Sequence, residues 1–301
     1  MNHVHKMIGT EWARKQGLTG KGVGIAVLDT GVYPHQDFAH RLYGFQDMLN
    51  GRRFPYDDNS HGTHVMGVLG GSGEASGGLY EGMAPGCSLI GIKVLDYKGN
   101  GSVANLLRGL KWLREYKEEY GIRIVNISVG SIPKRETGEE SALIRGVEEA
   151  WADGLVVVVA AGNEGPSAMS VTTPGISRKV ITVGSSDDHH AVEVCGAPMV
   201  DYSGRGPTSR CICKPDVVAP GASIVSCNAM SRKNNKPYGV KSGTSMATPV
   251  VSGAIALLLE KHPEMTPQDV KLKLMNSTVD LGLPRNQQGW GMIHIARLLN
   301  E

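Results

Sequence analysis

The sequence predicts an α/β fold of three layers, in which helices cover both faces of a mainly parallel central sheet. Short apolar runs recur along the chain, and segments with apolar residues at helical spacing separate them. Strands that alternate with helices in this way form parallel sheets buried on both faces. Glycine-flanked polar residues follow several of the apolar runs, and ligands bind beyond the carboxyl ends of the strands in such sheets.

The apolar runs are the predicted strands. Valine and isoleucine dominate them, as is typical of strands buried on both faces. The predicted strands cover 24–28, 88–95, 122–129, 155–161, 179–184 and 216–218.

The segments between the strands predict helices. Leucines at helical spacing mark 103–117, and 141–152 and 248–261 show similar patterns. Thr266 and Pro267 open a further helix, and His61 begins another apolar helical segment. The expected surface loops are 52–59, 70–82, 131–140, 189–198 and 231–236.

Composition limits the classes of protein to which the chain can belong. It has 301 residues, of which 41% are hydrophobic and 20% charged. We expect one domain over 1–301, with 1–18 as a lead segment, because no repeat or low-complexity linker interrupts the pattern. The net charge of +2 indicates neither nucleic acid nor a membrane surface as a partner. The longest apolar run, 155–161, is far shorter than the roughly 20 residues that span a bilayer.

The N-terminus and the cysteines predict a cytoplasmic location. The first six residues contain no apolar signal region. Five cysteines, an odd number in a chain of this size, imply no disulfide framework, so we expect reduced thiols. The mature form of a secreted protein is the alternative.

Three glycine-flanked segments carry a carboxylate, an imidazole and a hydroxyl. Asp29 follows the first predicted strand, His61 begins a helical segment, and Ser245 precedes the apolar helix over 248–261. Together they are the parts of a nucleophilic relay. Asn163 follows the strand over 155–161 and offers a neutral donor to the same edge of the sheet.

Each of these residues alone has a simpler interpretation. Asp29 and Asn163 are also typical of turns, and Ser245 of a helix N-cap. His61 and His64 have the spacing of metal ligands, but no third ligand motif accompanies them.

At these residues the chain resembles the subtilisin-like serine proteases, or subtilases, over 19–299. The chain order Asp29, His61, Ser245 is that of subtilisin and differs from that of chymotrypsin. The loop lengths are most similar to those of bacterial subtilases of the intracellular, alkaline type. Further matching segments are 161–166, 202–207 and 214–221.

The resemblance implies a serine endopeptidase that works through an acyl-enzyme. Ser245 would attack the scissile carbonyl, His61 would take its proton, and Asp29 would hold the imidazole. Asn163 and the backbone N–H of Ser245 would form the oxyanion hole. His64 would then be structural.

The resemblance also implies that a polypeptide substrate binds as an added β-strand. It would pair with 99–101 on one side and 128–130 on the other, while 160–162 would wall the pocket for the side chain before the scissile bond. These walls contain no acidic residue, so we expect broad specificity with a preference for large apolar side chains. The expected substrate-binding residues are Gly99, Asn100, Gly101, Ser128, Val129, Gly130, Ala160, Ala161 and Gly162.

The implied chemistry requires no cofactor. Asp37 matches a calcium ligand of secreted relatives, but 70–82 lacks their asparagine-rich calcium loop. We therefore assign no metal and keep Asp37 only as a candidate ligand of a structural calcium ion. A proteinaceous inhibitor or a propeptide is a second class of expected partner.

Two other functions compete with a protease. One is a catalytically silent subtilase fold that binds peptides or proteins, against which the complete set of Asp29, His61, Ser245 and Asn163 argues. The other is a nucleotide-binding domain. The glycines at 20–22 precede the first strand, whereas a phosphate-binding loop follows it.

Overall fold

A computed structural model describes residues 1–130, 142–230 and 235–300. The loop predicted over 131–140 lies outside these ranges, as does 231–234 of the loop predicted over 231–236. The strands are β1 (Gly24–Asp29), β2 (Leu42–Asp47), β3 (Ser88–Lys93), β4 (Ile122–Ile127), β5 (Val156–Ala160), β6 (Ile181–Ser185), β7 (Val192–Val194), β8 (Ala197–Met199), β9 (Val217–Ala219), β10 (Ile224–Cys227) and β11 (Tyr238–Lys241).

Helices connect and cover these strands. Short 3₁₀ segments lie at Ala39–Arg41 and Glu74–Ser76. The helices are α1 (Asn2–Ile8), α2 (Glu11–Lys15), α3 (His61–Gly70), α4 (Val103–Tyr116), α5 (Ala142–Ala152), α6 (Thr244–Lys261), α7 (Pro267–Asn276), α8 (Arg285–Gln288) and α9 (Ile295–Leu299).

Seven strands form the central sheet in the order β2-β3-β1-β4-β5-β6-β9. Each pairing in it is parallel. β1 and β5 are buried along their whole length, as parallel strands covered on both faces should be. The predicted α/β class with a parallel sheet is therefore confirmed.

Helix α6 runs through the centre of the protein. Its residues from Met246 to Leu259 are all buried, because the helix is apolar on every side. It packs on α3 and against the strands at the middle of the sheet. A helix in this position connects the segment around Ser245, at its N-terminus, directly to the core.

The strands that the sequence did not predict lack a continuous apolar run. β2 is an edge strand of mixed burial. β7 and β8 form a small antiparallel hairpin inside the loop predicted over 189–198, and Cys195 and Gly196 turn it with positive φ angles of 52° and 85°. β10 and β11 form a second antiparallel pair.

The lead segment 1–18 is helical and contributes to the core. Met1, Val4 and Ile8 are fully buried, and α2 packs on α9. In the ranges that the structure describes, no helix combines the length and the apolar character needed to cross a membrane.

Helix α7 begins with the capping arrangement that the sequence predicts at Thr266. The Thr266 hydroxyl accepts from Asp269 N at 3.2 Å, and the Asp269 carboxylate accepts from Thr266 N at 3.0 Å.

We expect Thr266→Ala to lower the free energy of unfolding by about 1 kcal/mol, because the N–H of Asp269 loses its acceptor. Urea unfolding followed by circular dichroism measures the loss. Thr266→Ser should keep the parent stability, and equal stability of Thr266→Ala and the parent would contradict the assignment.

Candidate active site

The carboxyl ends of β1, β4 and β5 lie side by side at one edge of the sheet. Leu28 of β1 pairs with Ile127 of β4, which pairs in turn with Val159 of β5. The residues that follow this pair are Asp29 and Ser128, so both lie at the same edge of the sheet. This edge is the place where α/β sheets bind ligands.

Asp29 and His61 form a hydrogen-bonded pair at this edge. Nδ1 of His61, the first residue of α3, lies 2.7 Å from Oδ1 of Asp29. Oδ1 also accepts from Thr30 N at 2.7 Å. The Asp29 side chain is 1% exposed and the His61 side chain is 24% exposed. A buried carboxylate thus orients an imidazole whose other edge is open to a substrate.

The charges around His61 keep its imidazole basic. Burial alone would lower the pKa of His61, but the negative charge of Asp29 and the hydrogen bond to it raise that pKa above its ordinary value. The positive charge of Lys241 lowers the pKa, and the charge of Asp57 raises it. An imidazole that gains a proton readily in this setting is suited to the role of general base.

Ser245 lies in the first turn of α6, and not before the helix as the sequence predicted. The sequence predicted a helix that starts at Thr248, whereas α6 starts four residues earlier, at Thr244. In the structure Pro249 lies further inside the helix, where it cannot donate to the carbonyl of Ser245. The Ser128 hydroxyl donates to that carbonyl instead, at 3.0 Å.

The hydroxyl of Ser245 is bonded to the end of β4. Its Oγ donates to the carbonyl of Ser128 at 2.8 Å. Among the described residues no hydrogen bond joins Ser245 Oγ to His61. Hydrogen bonds between catalytic groups are often long before substrate binds, so this geometry is compatible with a nucleophile at rest.

The side chain of Asn163 is held in one orientation by α6. Its Oδ1 accepts from Thr244 N at 3.0 Å and from Thr244 Oγ1 at 3.1 Å. Nδ2 is therefore the group of this amide that can donate to a ligand. A Cβ on Gly243, whose φ is +136°, would lie 3.3 Å from Nδ2, so glycine leaves room for this amide.

The predicted substrate walls at 128–130 and 160–162 meet at Thr172. A Cβ on Gly130 would lie 2.4 Å from Thr172 Oγ1, and a Cβ on Gly162 2.5 Å from Thr172 Cγ2. Sequence analysis missed Thr172, since an isolated threonine in a loop has no distinguishing pattern. The third wall, 99–101, lies in the loop before α4, where Gly101 bridges to Leu95.

His64 lies away from the open edge. It is fully buried, and its Nε2 donates to the carbonyl of Ile224 at 3.0 Å. Burial lowers the pKa of His64 to about 3, so its ring is neutral. These contacts connect α3 to β10.

The surroundings of Asp37 do not fit a calcium ion. Its carboxylate accepts from Ala75 N at 3.0 Å, from Tyr238 Oη at 2.8 Å and from Cys227 Sγ at 3.4 Å. His35 Nδ1 and Cys227 Sγ are the other ligand-type atoms beside it. Calcium binds about six to eight oxygens, whereas this mixed set is closed by hydrogen bonds within the described residues.

Sequence analysis also missed Asp57, which it placed in a surface loop. Asp57 forms a bridge with Gly31, next to Asp29 and Thr30. Its carboxylate accepts from Thr63 N in the first turn of α3 at 2.9 Å. An acidic residue shortly before a helix is the pattern that could have indicated this contact.

Comparison with known proteins places this chain in a family. A model of the subtilase family matches residues 20–291. The chain is similar to serine protease AprX of Bacillus subtilis strain 168, with 45% identity over 276 residues that cover 87% of this chain and 62% of AprX. It is 34% identical to subtilisin Savinase of Lederbergia lenta over 282 residues, which cover 94% of this chain and 92% of Savinase.

The structural comparison agrees with the sequence comparison. A crystal structure of a cold-adapted subtilisin-like serine proteinase matches with a TM-score of 0.71 and 28% identity, and the match covers 92% of this chain and 88% of the other. The chain spans less than two thirds of the length of AprX. Because the family model covers most of the residues, the chain belongs to the subtilase family.

Proposed function

We propose that this chain is a serine endopeptidase in which Asp29, His61 and Ser245 form the catalytic triad. The observation that carries the proposal is the 2.7 Å contact between His61 and Asp29 at the edge of the sheet where α6 presents Ser245. The names of the similar proteins, a serine protease and a subtilisin, support the same activity.

The reaction proceeds in two steps. Ser245 Oγ attacks the carbonyl carbon of the scissile bond while His61 Nε2 takes the hydroxyl proton, and Asp29 stabilises the resulting imidazolium. His61 then gives this proton to the leaving amine, and the C–N bond breaks to form the acyl-enzyme. A water molecule, deprotonated by His61, hydrolyses the ester and regenerates Ser245.

Two donors bind the oxyanion of the tetrahedral intermediate. One is Nδ2 of Asn163, whose orientation Thr244 sets. The other is the backbone N–H of Ser245, which lies in the first turn of α6, where backbone N–H groups have no partner within the helix. The positive end of the helix dipole favours the same negative charge.

The substrate is a polypeptide that pairs with 99–101 and 128–130 as an added strand. The side chain before the scissile bond enters the pocket beside Ala160, Ala161 and Gly162, and the absence of acidic residues there favours a large apolar side chain. We propose a cytoplasmic location and chemistry that needs no cofactor, and we propose neither a nucleic acid nor a membrane as a partner. Thermal melting with and without a chelator tests whether a calcium ion stabilises the fold. A proteinaceous inhibitor or a propeptide would occupy the cleft that binds the substrate.

The first prediction concerns the nucleophile. We expect the parent protein to cleave unfolded casein and to be labelled by a fluorophosphonate, and Ser245→Ala to do neither, because the attacking oxygen is gone. Ser242→Ala is the matched control: its hydroxyl accepts from Ser223 N and should be dispensable. A parent protein that neither cleaves nor becomes labelled would instead support the silent peptide-binding alternative.

The second prediction concerns pH. Because the pKa of His61 is raised, the base is protonated and inactive until the pH exceeds that pKa, so the acidic limb of kcat/KM should lie above pH 6.5. Asp29→Asn should lower kcat by about 10⁴-fold, the effect of losing this carboxylate in serine proteases. NMR titration of His61 in Ser245→Ala should show a lower pKa when Asp29→Asn is added and a higher one when Lys241→Gln is added. An unchanged pKa in both variants would refute the assignment of these charges.

The third prediction concerns the oxyanion hole. Asn163→Ala should lower kcat by about 10²–10³-fold, the loss known for such a donor in subtilisin, and should change KM little, because the contact forms only in the transition state. Thr244→Val should cost less, since Thr244 N still holds the amide. A normal kcat in Asn163→Ala, measured with a chromogenic peptide, would remove Asn163 from the mechanism.

A further inference from the structure

The carboxylate of Asp57 connects the two elements that carry Asp29 and His61. Asp57 belongs to neither element, since it lies in the segment between β2 and α3. Five hydrogen bonds converge on its two oxygens. Within the described residues, the donors of this set are Thr30, which directly follows β1, Thr63 of α3, and Asn59 and Ser60 in the turn before α3.

Asp57 takes the place of a capping side chain for α3. The N-cap residue Ser60 makes no capping bond with its own side chain. Instead, Asp57 Oδ1 accepts from Ser60 N at 2.8 Å, and Oδ2 accepts from Thr63 N at 2.9 Å and from Thr63 Oγ1 at 2.6 Å. These bonds satisfy N–H groups in the first turn of the helix that begins with His61.

A second contact of Asp57 reaches the end of β1. Thr30 Oγ1 donates to Asp57 Oδ1 at 2.9 Å and accepts from Gly62 N at 2.9 Å. Thr30 N donates to Asp29 Oδ1 at 2.7 Å, the oxygen that also bonds to His61. Together with the peptide bond between His61 and Gly62, these hydrogen bonds form a closed ring that includes the contact between Asp29 and His61.

The helix start and the strand end lie too close for an ordinary side chain between them. A Cβ on Gly62 would lie 2.2 Å from the carbonyl of Gly31 and 3.1 Å from Asp29 Cβ. At this separation, a small displacement of α3 alters the contact between His61 and Asp29 directly. The bonds of Asp57 oppose such a displacement, together with the bonds from Gly62 N to Thr30 Oγ1 and from Tyr33 N to Thr63 Oγ1.

We infer that Asp57 is a positioning residue, which holds His61 against Asp29 by connecting the N-terminus of α3 to the end of β1. This inference rests on the proposed function. Asp57 does not touch the reacting atoms, and it acts through Thr30, Gly62 and Thr63. A misplacement of about 1 Å at a catalytic group costs up to about 10²-fold in rate, so the expected effect of losing Asp57 is on kcat.

Asp57→Asn is the test variant, and Asp47→Asn is its matched control. The amide introduced by Asp57→Asn would present an NH₂ group to donors that now bond to a carboxylate oxygen. Asp47 is 2% exposed, and its carboxylate accepts from Leu49 N, Asn50 N, Arg52 N and Tyr56 Oη. It is therefore bonded much like Asp57, but none of these bonds reaches α3 or β1. Both variants lose structural hydrogen bonds, but only Asp57→Asn weakens the connection between α3 and the end of β1.

We expect kcat per fluorophosphonate-titrated site to fall by about tenfold to a hundredfold in Asp57→Asn and to stay at the parent value in Asp47→Asn. The charges that act on His61 are Asp29 from β1, Lys241 from β11 and Asp57 itself. Removing the Asp57 charge should therefore also move the acidic limb of kcat/KM to lower pH, a shift that simple loss of stability does not produce. Thr30→Val should lower kcat non-additively with Asp57→Asn, and Thr30→Ser should restore it.

Parent kcat and an unchanged acidic limb in Asp57→Asn would overturn the inference, as would an equal loss of kcat in Asp47→Asn. If the parent protein itself neither cleaves casein nor becomes labelled, the proposed function fails. The position of Asp57 is then tested by the NMR titration of His61 in Ser245→Ala. A lower His61 midpoint on adding Asp57→Asn, but not on adding Asp47→Asn, supports the inference, and equal midpoints overturn it.

Discussion

The parallel pairing of β1 with β4 is the constraint on which the site depends. With Leu28 opposite Ile127, the chain leaves both strands at one edge, and Asp29 and Ser128 come to lie side by side. Asp29 then bonds to His61, and Ser128 exchanges hydrogen bonds with Ser245 in both directions. A shift of one residue in this register would turn Asp29 to the other face of the sheet and separate the two halves of the site.

Close backbone packing fixes the positions of α3 and α6 relative to this edge of the sheet. Gly62 lets α3 approach the end of β1, and Gly243 lets α6 approach Asn163. Both helices then run into the core, where α6 is buried over most of its length. The position of each reactive group at a helix start is therefore set by apolar burial behind it and by hydrogen bonds in front of it.

Electrostatics at this edge follows from the same packing. Burial favours the neutral form of each histidine of α3, but only His61 lies beside a carboxylate. The pKa of His61 is therefore raised, while that of His64, which bonds to backbone carbonyls, is lowered. Two histidines three residues apart on one helix thus differ in protonation because their partners differ.

Much of this arrangement could be predicted from the sequence, and the exceptions have physical reasons. The buried strands β1, β3, β4 and β5 read as apolar runs because both of their faces meet helices. The edge strand β2 and the short antiparallel pairs lack that signal. Such elements depend on partners that are distant in the chain.

The residues of the site also divide into those that a sequence pattern marks and those that it does not. Asp29, His61, Asn163 and Ser245 follow or begin elements with clear patterns, whereas the roles of Asp57 and Thr172 arise from tertiary contacts alone. The calcium expectation at Asp37 rested on resemblance, and the hydrogen bonds from Cys227 and Tyr238 could not be read from the sequence.

A crystal structure of the protein with a bound peptide boronic acid tests most directly whether these groups form one catalytic site. Boron accepts a serine oxygen and gives a tetrahedral adduct. We expect a bond from boron to Ser245 Oγ, a boronate oxygen within hydrogen-bond distance of Asn163 Nδ2 and Ser245 N, and a hydrogen bond that still joins His61 to Asp29. An adduct on another residue, or an Asn163 amide turned away from the boronate, would contradict this expectation.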